Sequence, residues 1–148
     1  HMVAAGRLGR KAGAGWYRYP ATGGKLVDPS VEDLICEESA VAGINRRVFT
    51  EAEIQHRLVL AMVNEATDIL ADGIAQNAAD IDLVTIHGYG FPRWRGGLMH
   101  YADQIGVSDI LRHLRALADE DPLVWRPSPV IVDCAEKHIS LAAWHRAE

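Results

Sequence analysis

The stretch Asp80-Ile-Asp-Leu-Val-Thr-Ile-His-Gly-Tyr-Gly-Phe-Pro-Arg-Trp-Arg-Gly-Gly-Leu-Met99 constrains this chain more than any other part of it. It joins a short apolar segment to a glycine-rich corner, Gly88-Tyr89-Gly90-Phe91-Pro92, and then to the pair Gly96-Gly97. Glycines at this density mark backbone that bends sharply or approaches another surface closely. Tyr89, Phe91 and Trp94, set among them, are large apolar groups that are costly to leave in water. A sharp corner carrying three aromatics predicts a surface that packs against something. Gly88, Tyr89, Gly90, Phe91, Pro92, Trp94, Gly96 and Gly97 are therefore the candidate structural and interface residues.

Helix signals surround the corner. Ser30 with Asp33 matches a capping box and predicts a helix to about Ala40. Thr50 with Glu53 is a stronger box, with Phe49 and Ile54 at the staple positions. Beyond it Ile54, Leu58, Ala61, Met62, Ala66, Ile69 and Leu70 recur at helical spacing, and Gly73 marks a stop. Asn77 with Asp80 starts a helix that Gly88 ends, and another runs from about Gly97 to Ile105. Ser108 is the expected cap of the next, whose face is Ile110, Leu111, Leu114 and Leu117. Asp121-Pro122 to Pro127 reads as a proline-broken loop. Ser128-Pro129 then reads as a cap with proline at the first helical position. Val130-Ile131-Val132 is β-branched and leaves a strand open there, and the last nine residues form a short helix or fray.

No segment alternates with a period of two, so the expected class is all-α. Residues 1–2 look like the scar of a cleaved tag. Residues 3–27 hold six glycines and read as an extended surface segment anchored by Trp16, Tyr17 and Tyr19. Residues 28–148 are the expected helical domain, and at this length there is room for a single core.

Composition excludes several functions. The net charge of −5 argues against broad attraction to nucleic acid. No run of apolar residues is long enough to span a membrane, and no signal-peptide pattern opens the chain. Cys36 and Cys134 have no metal spacing and suit buried, reduced thiols in a cytoplasmic protein. Gly13-Ala-Gly15 fails as a dinucleotide fingerprint, because Arg18 stands where the third glycine belongs and no strand precedes it. His100 and His113 show no metal-ligand spacing. Asn64 and Glu65, beside the core stripe, are expected to brace the Gly88 corner, and His87 to orient it. Arg93 and Arg95 suit inter-domain ion pairs, or an anion such as a phosphate.

Taken in order, several motifs resemble the C-terminal helical domain of the L-3-hydroxyacyl-CoA dehydrogenase family. They are Gly9-Arg-Lys-Ala-Gly-Ala-Gly-Trp-Tyr17, Glu53-Ile54, Arg57-Leu58, Val63-Asn-Glu-Ala66, Gly73-Ile74, Asp80-Ile-Asp82 and Gly88-Tyr-Gly-Phe-Pro92. The likeness covers about residues 7–120 and is nearest to the last domain of multifunctional enzymes of fatty-acid β-oxidation. It implies a compact fold like the C-terminal domain of 6-phosphogluconate dehydrogenase. It implies a parent that oxidises 3-hydroxyacyl-CoA with NAD, held on a nucleotide-binding domain absent here. The family's catalytic histidine–glutamate pair belongs to that domain, so no catalytic, cofactor or metal residue is assigned to this chain. The family's catalytic asparagine aligns with His56, which marks the chain as the second, non-catalytic helical repeat. The implied partners are the preceding repeat, the nucleotide-binding domain and the parent's acyl-CoA, with self-association of the fragment through Tyr89, Phe91, Trp94, Leu98 and Met99. A stand-alone interaction or dimerisation module of the same ancestry is the alternative. What precedes Val3 in the parent gene separates the two.

Overall fold

The computed structural model describes residues 1–146, and its regular elements are helices. The chain divides into two compact units, His1–Val48 and Phe49–Glu148.

In the first unit the glycine-rich segment doubles back on itself. Isolated antiparallel bridges join Gly9 to Ala14, Ala14 to Arg18 and Arg18 to Leu26, around a short 3-10 turn at Arg10–Ala12. Gly15 serves backbone-to-backbone approach: a Cβ there would lie 2.8 Å from the Gly9 Cα. The expected aromatic anchor is corrected in part. Trp16 is 63% exposed, while Tyr17 and Tyr19 lie half-buried under Lys25 and Arg10. The real anchor is Asp28, which is 2% exposed. Arg7 Nη2 donates to its carboxylate at 2.7 Å and Arg18 Nε at 3.3 Å. The Arg18 and Arg7 guanidiniums, with Ser30, hold the Asp28 carboxyl well below its ordinary range.

Asp28 also starts helix α1 (Pro29–Val41) by accepting from the Ser30 backbone N–H, with Pro29 at the first helical position. The expected cap at Ser30 is thus two residues late. An aspartate followed by proline offers both a cap acceptor and a pre-set φ, and outranks the serine. Helix α1, grouped in the sequence with the helical body, lies in this first unit. Cys36 is exposed on it, contrary to the expectation of a buried thiol, whereas Cys134 is buried in the second unit.

The second unit holds five helices: α2 (Glu51–Ala71), α3 (Ala78–Gly88), α4 (Leu98–Ile105), α5 (Val107–Ala118) and α6 (Pro129–Lys137), then a 3-10 turn at Leu141–Ala143. The final two residues of the expected C-terminal helix lie outside the described residues. Helix α2 packs on α4 and α6, α5 packs on α6, and α4 also meets α3, α5 and the C-terminal turn. Leu60, Val63, Leu98, Met99, Ile110, Leu114, Ile131 and Leu141 fill the shared core. Val130-Ile131-Val132 is helical, because Pro129 and the burial of Val130 and Ile131 against that core outweigh β-propensity.

Helix α2 opens with the expected capping box, Thr50 and Glu53 each bonding the other's backbone. It ends in a Schellman motif, with Gly73 at φ 71° and the Ile74 and Gly73 N–H groups donating to Ile69 and Leu70. Its buried face differs from the expected stripe. Leu60, Val63, Asn64, Ala66, Thr67 and Leu70 face inward, whereas Ile54, Leu58 and Met62 are 48%, 60% and 38% exposed. The inner face tolerates two polar groups because both are bonded. Thr67 Oγ1 donates back to the helix carbonyls of Val63 and Asn64, and Asn64 is bonded to the loop before α6.

Candidate functional site

The corner is built by α3 and α4. Asn77 caps α3 by accepting from the Asp80 N–H, as expected. Gly88 is the last residue of that helix and has ordinary backbone angles, while the left-handed turn is made by Gly90 at φ 71°. The Thr85 carbonyl accepts from the N–H groups of both Tyr89 and Phe91 and closes the corner. Pro92 leads into a 3-10 turn, Arg93–Arg95, which Gly96 ends at φ 78°.

Gly97 is the N-cap of α4 and has no side chain to offer. Asp82, on α3, supplies the missing acceptor: its Oδ1 takes the Met99 N–H at 2.7 Å and the His100 N–H at 3.3 Å. Burial raises the Asp82 carboxyl above its ordinary value, and those backbone bonds pull it back. Any Cβ on Gly97 would collide with the Asp82 side chain. Asp82 is a capping residue that local signals do not assign. A helix start reading Gly-Gly, with no Ser, Thr, Asp or Asn of its own, implies a cap from elsewhere in the chain.

The aromatics separate. Tyr89 and Trp94 are each 79% exposed, and Phe91 packs partly against the core. Leu98 and Met99, expected to share their surface, are 2% and 0% exposed and belong to the core. The eight-residue helix α4 turns both inward, so the open face reduces to Tyr89, Trp94 and the neighbouring arginines.

His56 lies elsewhere, on α2. Its ring meets His113 of α5 edge to face, with centroids 4.7 Å apart and planes at 88°. Burial pushes His56 below its ordinary value, and the charges of His113 and Arg57 add to that. The buried Nδ1 of His113 has no partner, and no carboxylate bonds either ring among the described residues. An acid–base histidine needs an orienting group, and this pair offers none. His87 is exposed at the end of α3, and His100 is exposed beside Gln104 at 3.1 Å. The described residues contain no group of three metal-ligating side chains. Asn64 does not brace the corner. Its Nδ2 donates to the Arg126 carbonyl at 2.9 Å, and its Oδ1 accepts the Ser128 N–H at 2.8 Å. Glu65 is exposed.

A family model described as 3-hydroxyacyl-CoA dehydrogenase, C-terminal domain, matches residues 54–139, from α2 through the end of α6. The chain belongs to this family. Its helices α2–α6 are the family's all-α fold. Among relatives, the peroxisomal bifunctional enzyme of Danio rerio is 40% identical over 132 residues, covering 85% of this chain and 18% of that protein. The peroxisomal fatty acid beta-oxidation multifunctional protein of Oryza sativa subsp. japonica is 32% identical over 146 residues, covering 96% and 20%. The fatty acid oxidation complex subunit alpha of Acinetobacter baumannii (strain AYE) is 38% identical over 112 residues, covering 73% and 15%. The chain therefore spans at most a fifth of the length of each of these relatives. No described helix is long and apolar enough to cross a membrane.

Proposed function

We propose that this chain is the terminal helical module of a multifunctional enzyme of fatty-acid β-oxidation, whose dehydrogenase converts 3-hydroxyacyl-CoA to 3-ketoacyl-CoA with NAD. The observation that carries this is the match of residues 54–139 to the dehydrogenase C-terminal domain within relatives several times longer. The module itself is non-catalytic. His56 packs on a second histidine with no orienting carboxylate, which suits a helix-junction role rather than proton transfer. NAD does not fit here: Gly15 is used for close approach to Gly9, and residues 9–15 start a three-residue 3-10 turn rather than an α-helix that could receive a pyrophosphate. The cofactor would be held by another part of the parent.

The eight corner residues Gly88 to Gly97 then hold α3 against α4 and present Tyr89 and Trp94 to the preceding helical repeat. In the isolated fragment the same face is where a two-fold dimer would form. The free thiols of Cys36 and Cys134 suit a reducing compartment such as the cytoplasm, although several relatives carry peroxisomal names. An assay with acetoacetyl-CoA and NADH tests the reading. The chain alone should give no turnover above a buffer blank, and the full parent should be active. Turnover by the fragment, or a parent frame without a dehydrogenase, would refute it.

A further inference from the structure

We infer that Arg95 is a carboxylate receptor through which an acidic protein surface docks on the corner. The guanidinium carbon of Arg95 lies 4.3 Å from the centroid of the Trp94 ring and 4.1 Å from that of Tyr101. Tyr101 sits on α4 and is tilted against Phe91 at 6.2 Å, and Phe91 packs on the core. The arginine is therefore held against a platform rooted in the second unit. Stacking occupies the faces of a guanidinium and leaves its in-plane N–H groups free for a bidentate acceptor. The guanidiniums of Arg7, Arg57 and Arg112 each donate to a carboxylate, but that of Arg95 joins no hydrogen bond or ion pair among the described residues. It is half-buried. A partly desolvated cation with its donors unmet gains most from a charged acceptor brought by another molecule.

The surroundings indicate what that molecule is. Residues 83–102 contain Arg93 and Arg95 and no Asp or Glu. The flanking acids, Asp82 and Asp103, are committed to backbone N–H groups at Met99 and Leu141. Arg93 and Arg95 are the formal charges of residues 83–102 on a chain of net charge −5, and an Arg95 guanidinium with unmet donors selects an acidic partner. Trp94 and Tyr89, each 79% exposed, add the aromatic area that anchors protein interfaces. Two hollows flank Ser108, one of them reaching Asp103 at the end of α4, and neither is lined by Trp94 or Arg95. A small ligand needs a concave pocket to bury it, so a protein surface fits this face better.

The partner's setting rests on the reading of the chain as one module of a larger enzyme, but the receptor is tested on this chain alone. The probe is poly-L-glutamate, with inorganic phosphate and acetate for comparison, and the readout is the NMR signal of the Arg95 Nε–H. Poly-L-glutamate should shift that signal saturably, and acetate at equal carboxylate concentration should not saturate it. Arg95→Lys keeps the charge but loses the planar fork, so half-saturation, read then from the Trp94 indole N–H, should rise severalfold. Arg95→Ala should raise it about tenfold, the worth of one charge-assisted pair. Arg112→Ala, on an exposed arginine elsewhere, should leave it unchanged. Loss equal to that of Arg95→Ala in the Arg112 variant, or no saturable shift, overturns the inference. Saturation by phosphate at a lower concentration than by poly-L-glutamate also overturns it, in favour of a small-oxyanion site. A shift that follows protein concentration without any probe replaces the acidic partner with a second copy. None of these failures touches the parent's dehydrogenase activity, which is measured separately.

Discussion

Gly97→Ala should be the most damaging of the corner substitutions, and its cost follows from two separate contacts. Gly97 has φ 113° and ψ 172°, a conformation that side chains other than glycine scarcely adopt. Forcing alanine there costs roughly 1–3 kcal/mol. The new Cβ also meets the Asp82 side chain, which must move away from the Met99 and His100 N–H groups it caps. Losing a helix cap costs about 1 kcal/mol more. The sum, roughly 2–4 kcal/mol, lowers a urea midpoint by roughly 1–2 M at an ordinary slope. Two neighbours serve as scale. Gly90→Ala meets no atom within 4 Å and carries only the strain of φ 71°, about 1 kcal/mol. Gly88→Ala sits at the end of α3 with ordinary angles and 4.0 Å from Val84, so it should melt at or above the wild type. Urea melts of the three variants should rank in that order. A Gly97→Ala midpoint equal to wild type, or a larger loss at Gly88, would refute the account of the corner.

Three other perturbations follow. His56 has a depressed folded value, so the unfolded chain binds more protons, and the stability it contributes is complete above 6.5 and lost as pH falls below that value. Urea melts at pH 8 and 5.5 should therefore differ less in His56→Gln than in the wild type, and an unchanged difference would remove His56 from the account. Asn64→Ala strips partners from the Arg126 carbonyl and the Ser128 N–H and should cost roughly 2–4 kcal/mol by chemical denaturation, far more than a surface change. Ser128→Ala, by contrast, removes a buried hydroxyl that has no partner, and should melt no lower than the wild type.

What could be read from the sequence was local. The Thr50 box, the Asn77 cap and the Gly73 stop each depend on residues within one turn, and all three stand in the structure. The misplaced starts were also local, but decided by competition. Asp28-Pro29 displaced Ser30, and Gly106, at φ 100°, rather than Ser108, begins α5. The inward face of α2 was harder to see, because Ile54, Leu58 and Met62 form as good a row as the one that is buried. Only the loop at Arg126–Ser128, some sixty residues on, makes Asn64 an inward residue. At the corner, the glycines and aromatics announced a bend, but not that Asp82 would cap α4 or that Arg95 would settle on Trp94 and Tyr101. Those pairings depend on how two helices cross, which no window of sequence contains.

Two caps of the second unit are lent by one element to a later one. Asp82 of α3 serves the first turn of α4, and Asp103 of α4 serves the C-terminal turn, accepting the Leu141 N–H at 2.7 Å and the Ala142 N–H at 3.1 Å. Each loan runs forward along the chain, so the end of the domain is tied to its middle. Cutting the chain after Ile139 would remove buried Leu141 and strip Asp103 of both donors at once. Residues 141–144 therefore act as a clasp on the helices before them. Trimming for expression or fusion should stop beyond Trp144, whose indole N–H donates to Asp133 on α6.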